Sequence, residues 1–92
     1  MNPLGKYASY QDLARLEYGR LLWKNGKARA RLIKHWTSAE NPYCDRFLEN
    51  KQLIERVLSS DDDDLQLDRQ LRKEGHSLRS VVRDIPPVFG SI

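Results

Sequence analysis

Gly19-Arg20-Leu21-Leu22-Trp23-Lys24-Asn25-Gly26-Lys27-Ala28-Arg29-Ala30-Arg31-Leu32-Ile33 is the stretch on which the fold turns. Asn-Gly between two apolar runs is the strongest short signal for a β-hairpin. A two-residue turn there pairs Trp23 with Ala28 and Leu21 with Ala30, and places Arg20, Arg29 and Arg31 on the opposite face. Against that pairing, Ile33 is the only β-branched residue in the two arms, while Leu, Ala, Lys and Arg are good helix formers. On a helical wheel Ala28, Leu32, Ile33 and Trp36 share one side, and Lys27, Arg31, Lys34 and His35 share the other. The expectation is therefore two helices joined at Asn25-Gly26, with Gly26 closing the first in a left-handed conformation. A hairpin over residues 18–33 is the α+β alternative.

Outward from this turn the pattern stays helical. Ser9 and Asp12 fit a capping box, and Tyr10, Ala14, Tyr18, Leu21 and Leu22 recur at helical spacing, which predicts a first helix from Tyr10 to Lys24. Asn41 as cap and Pro42 in the first turn predict a third helix running to Ser59, with Tyr43, Phe47, Ile54 and Leu58 on one stripe. Ser60 with Asp63 is a further capping box, opening a fourth helix that carries Leu67 and Leu71 and closes at Gly75. A short last helix spans Ser77 to Asp84, with Leu78, Val81, Val82 and Ile85 inward. The expected fold is a small all-α bundle of four or five short helices over residues 1–85. Its predicted core holds Trp23, Trp36, Tyr43, Phe47, Ile54 and Leu58. Residues 86–92 form a Pro-containing tail, in which Val88, Phe89 and Ile92 are candidate docking residues with Phe89 as the anchor.

Ninety-two residues suit one domain with a modest core. The longest uninterrupted apolar run inside a predicted helix, Leu21-Leu22-Trp23, is far too short for a membrane span or a signal-peptide core. Cys44, the single cysteine, has no partner for an intrachain disulfide. A soluble intracellular protein of a reducing compartment is expected, with the cytoplasm as its place.

The net charge of +3 conceals an uneven distribution. Residues 1–57 carry eleven Lys/Arg against six Asp/Glu, and residues 58–92 carry five against seven. No acid lies between Glu17 and Glu40, whereas Arg20, Lys24, Lys27, Arg29, Arg31 and Lys34 all do, together with His35. Such asymmetry bears on partners. Lys27, Arg31 and Lys34 stand at i, i+4 and i+7, a stripe able to follow a line of phosphates or meet an acidic protein surface.

Other constellations carry less. Asp61 to Asp64 could attract a hard cation, but Leu65 and Gln66 break the spacing of a calcium loop, and acids at a helix start are favourable in themselves. Cys44, His35 and His76 have no zinc-ligand spacing, and Cys44 is expected as a buried, inert thiol. No glycine-rich phosphate loop or hydrolase motif occurs. No metal, cofactor or catalytic residue is expected.

Two short segments resemble known families. Gly75 to Ile85 resembles the first helix of the helix-turn-helix in resolvase- and transposase-type DNA-binding domains, but Pro86-Pro87 stands where the turn and reading helix follow in that family. Leu16-Glu17-Tyr18-Gly19-Arg20 is distantly similar to the leucine-tyrosine-arginine motif of small basic three-helix mitochondrial proteins, with Tyr18 and Arg20 separated by Gly19. Neither resemblance implies an activity here.

The function expected from these residues is that of a non-enzymatic interaction protein: a small regulator, adaptor or assembly subunit. Its basic surface, Arg20, Lys24, Lys27, Arg29, Arg31 and Lys34, would engage an anionic protein partner. The alternative is a nucleic-acid-binding module that contacts phosphates with the same residues. So small a core also makes an oligomer or a subunit of a larger complex an expectation.

Overall fold

Asn25 decides the fold by capping a helix. In a computed structural model that describes residues 10–87, its side-chain oxygen accepts from the amides of Lys27 (3.0 Å) and Ala28 (3.1 Å). Those amides would otherwise have no partner in the first turn. The dipeptide therefore starts α2 (Gly26–Trp36) directly after α1 (Tyr10–Trp23), and no strand occurs among the described residues. Gly26 is the first residue of α2 and has no left-handed conformation to adopt, contrary to the closing role expected of it; Gly75 is the only described residue with positive φ.

On α1 the buried side is Leu16, Gly19 and Trp23. The residues whose spacing marked this helix lie elsewhere: Ala14, Tyr18 and Leu21 are exposed, and Leu22 is half-buried against the core. Gly19 lets α1 press onto the next layer, since a Cβ on it would lie 2.7 Å from Leu58 Cδ2. A methyl there would force the buried Leu58 side chain to shift, which accounts for a glycine at a position where alanine favours the helix by about 1 kcal/mol.

The expected third helix is two. α3 (Cys44–Glu49) and α4 (Lys51–Ser59) break at Asn50, whose Nδ2 donates to the Arg46 carbonyl at 2.9 Å. A side chain that bonds a carbonyl one turn back competes with the helical ladder. The start also moves. Asn41 Oδ1 accepts from the Tyr43 amide at 2.8 Å, so Asn41-Pro42-Tyr43 is a turn and the helix begins at Cys44. Tyr43 is thereby held outside the core predicted for it and is 37% exposed.

α5 (Asp64–Lys73) is capped by Asp63, which accepts from the Gln66 amide at 2.8 Å, instead of by Ser60. The Ser60 hydroxyl accepts from the Asp62 amide at 3.2 Å, and Asp61 and Asp62 precede the Asp63 cap. Gly75 (φ 85°) closes α5: His76 N donates to Leu71 O and Gly75 N to Arg72 O, the paired bonds of a left-handed helix stop. α6 (Leu78–Asp84) follows, with the Ser77 hydroxyl accepting from the Ser80 amide.

The six helices among the described residues, 6 to 14 residues long, are each too short to persist alone in water, so packing holds them. α1 touches α2, α4 and α6, and α6 also packs on α4 and α5. Trp36 and Phe47 are fully buried at the centre, ring centroids 5.1 Å apart. The Trp36 indole N–H is satisfied by the Pro87 carbonyl at 3.2 Å, and Pro86 is buried beside the core. Ile54, Leu58, Leu67, Leu71, Leu78, Val81, Val82 and Ile85 are in the core as expected, and Leu32 and Val57 join them.

Candidate interaction surface

α2 makes its principal contact with α1, sets Trp36 against Phe47 of α3, and exposes the opposite side. Leu32 and Trp36 are buried, and Ala28 and Ile33 are half-buried. Lys27, Arg31, Lys34 and His35 are exposed, as the wheel predicts, and Lys24 in the connecting turn is exposed too. Along α2 Lys27, Arg31 and Lys34 follow one another at about 6 Å and about 4.5 Å of helix rise, each step inside the Debye length of about 8 Å at ordinary ionic strength.

The structure divides the six predicted basic residues into two groups. Lys24, Lys27, Arg31 and Lys34 take part in none of the ion pairs among the described residues. Arg20 and Arg29 are engaged internally. Arg20 is half-buried: its Nε donates to the Val57 carbonyl at 3.2 Å and its Nη1 to Asp64 Oδ1 at 3.0 Å. Arg29 lies over the Trp23 ring, 5.9 Å from its centroid, and donates to the Trp23 carbonyl at the end of α1. Favourable cation–ring contact and a satisfied helix-end carbonyl account for its position.

Beside the turn is a shallow depression of about 410 Å³ lined by Glu17, Tyr18, Arg20, Leu21 and Lys24. Leu21 is 65% exposed and Tyr18 54%, and Ala14 continues their line along α1. At the other end of α2 a depression of about 320 Å³ is formed by His35, Ser38, Glu40, Asn41, Pro42, Tyr43 and Pro87. Val88, Phe89 and Ile92, the predicted docking residues of the tail, lie outside the described residues.

The acidic run serves the fold: Asp63 caps α5, and Asp64 holds Arg20. Among the described residues no group of three or more His, Cys, Asp or Glu side chains is gathered to hold a metal. Cys44 is a free thiol and half-buried, not enclosed as expected, because it opens α3 at the edge of the Asn41 turn.

One charged residue escaped the sequence reading. Asp68, on the Leu67 and Leu71 side of α5, is 6% exposed. Its Oδ1 accepts from the Leu78 amide at 2.9 Å and its Oδ2 from Arg72 Nε at 2.8 Å. Burial pushes its carboxyl up, but the Arg72 bond, the Leu78 amide and the Arg72 charge together outweigh burial and hold it below the ordinary carboxylate value. It is an anchor for the start of α6. Its i, i+4 spacing to Arg72 was a readable signal.

No helix among the described residues is long and apolar enough to cross a membrane. No protein family, curated protein or solved structure matches this chain.

Proposed function

We propose that this protein is a non-enzymatic interaction protein, acting as a small regulator, adaptor or assembly subunit that engages an anionic partner through the outer face of α2. One observation carries this reading. Exposed Arg46, Arg69, Lys73 and Arg83 each stand next to an acid in the sequence, whereas Lys24, Lys27, Arg31 and Lys34 are exposed, pair with none of the described acids, and lie in a stretch without an acid between Glu17 and Glu40. Cations left together without counter-charges raise the local concentration of anionic partners and steer their approach.

Titration with poly-glutamate, duplex DNA and single-stranded RNA at several salt concentrations tests it. Binding that weakens steeply with salt and is lost in a Lys27→Ala/Arg31→Ala/Lys34→Ala variant is the expected result. Absence of binding to all three at about 50 mM salt overturns it.

A further inference from the structure

α1 is apolar on two sides. Leu16, Gly19 and Trp23 face the core, and Ala14, Tyr18 and Leu21 form a second line at i, i+4 and i+7 on the exposed side. A helix with water on one side ordinarily keeps one apolar face and one polar face. A second apolar line is the form in which a helix offers itself to another helix. Resting on the proposed function, we infer that this line, together with Lys24 and the cations of α2, is a docking surface for an acidic amphipathic helix of a partner protein.

Charge and shape select that occupant. The depression holding Tyr18 and Leu21 has Glu17 toward one end and Lys24 toward the other, seven residues or roughly 10 Å apart along α1. At its Lys24 end the chain continues into Lys27, Arg31 and Lys34, which pair with none of the described acids. A partner helix laid along α1 covers Leu21 and Tyr18 with its apolar stripe, and its acids meet Lys24 and Lys27. A second copy of this chain would bring the same cations against themselves, which costs binding free energy. Phosphates alone gain nothing from Leu21, whose water is released favourably only against apolar surface. Two large exposed side chains are also too small an apolar face to seat a helix in a lipid interface.

The test uses the full chain, labelled for NMR. The probes are a synthetic Glu-rich peptide with Leu at i, i+3, i+4 and i+7, a scrambled peptide of the same composition, duplex DNA, and phosphatidylserine vesicles. The patterned peptide should shift amides of residues 14–24 and 27–34. Leu21→Gln, which keeps a good helix former at an exposed position, should weaken it about tenfold with the circular dichroism unchanged. Tyr18→Ser serves as the second variant. Equal binding of the scrambled peptide, or indifference to both variants, overturns the inference. Tighter, Leu21-sensitive binding of DNA or vesicles overturns it as well. So do contacts from residues 1–9 or 88–92 to Leu21 in the free protein, or a dimer that Leu21→Gln dissociates. Failure of Leu21→Gln alongside loss of binding in the Lys27/Arg31/Lys34 alanine variant leaves the proposed function standing. Failure of every anionic probe removes both.

Discussion

The guanidinium of Arg20 joins Asp64 across 44 residues of sequence, with a 3.0 Å bond that ties the last turn of α1 to the first residue of α5. The same side chain holds the Val57 carbonyl near the end of α4. One arginine thus joins three helices, and a residue that looks like part of a binding surface is a structural clamp.

Arg20→Ala should cost about 1–2 kcal/mol, discounted from a fully buried pair because both side chains retain some exposure. For a chain of this size that lowers Tm by roughly 5–12 °C, read by thermal denaturation. Arg20→Lys keeps the charge but loses the fork that serves two acceptors, and should fall between. An Arg20→Ala protein as stable as the parent would show that the clamp contributes nothing.

Lys27→Ala, Arg31→Ala and Lys34→Ala together should leave stability within about 0.5 kcal/mol per site, since none of the three touches a described acid. The same variant should lose binding to anions. A large fall in Tm would place these residues in the fold and not on a working surface.

At Gly19, alanine gains about 1 kcal/mol of helix propensity and meets Leu58 Cδ2 at 2.7 Å. Leu58 is 1% exposed and has little room to yield. Overpacking of this kind costs about 1–3 kcal/mol, so Gly19→Ala should be net destabilising and Gly19→Val more so. Urea denaturation of the pair checks the order. A stabilised alanine variant would mean that α1 and α4 separate easily.

Asp68 makes stability depend on acid. Its carboxyl lies below the ordinary value of 3.8, so its contribution is complete above that pH and fades as pH falls through the depressed value. Asp68→Asn keeps an acceptor for Leu78 but releases Arg72, whose side chain is largely exposed. It should cost about 1–2 kcal/mol at pH 7 and show a shallower loss than the parent as pH falls below about 4. Parallel stability curves for the two proteins would assign the acid dependence to other carboxylates.

How far the sequence reaches differs from element to element. Helix starts with a side-chain cap could be read to within a few residues, because Asn25, Asp63 and Ser77 each satisfy a nearby amide. The break at Asn50 could not, since an asparagine inside an apolar periodicity bends a helix only when its side chain turns back on the carbonyl of Arg46. On α2 the two faces were legible because cations and apolar residues separate cleanly. On α1 they were not: two apolar lines compete, and the winner is set by Gly19, whose value lies in what it lacks. Charge clustering showed where a surface lies but not which cations are spoken for. Arg20 and Asp64 are remote in sequence, and only the packing of α4 beside α1 brings them together.

The bond from the Trp36 indole to the Pro87 carbonyl spans 51 residues, and Val81, Val82 and Ile85 are buried in the same core. During synthesis, α1 to α3 must therefore emerge and wait with their apolar sides unsheltered. The native arrangement becomes accessible only when residue 87 has cleared the ribosome. Until then the apolar sides of α1 to α3 have no completed interior to enter.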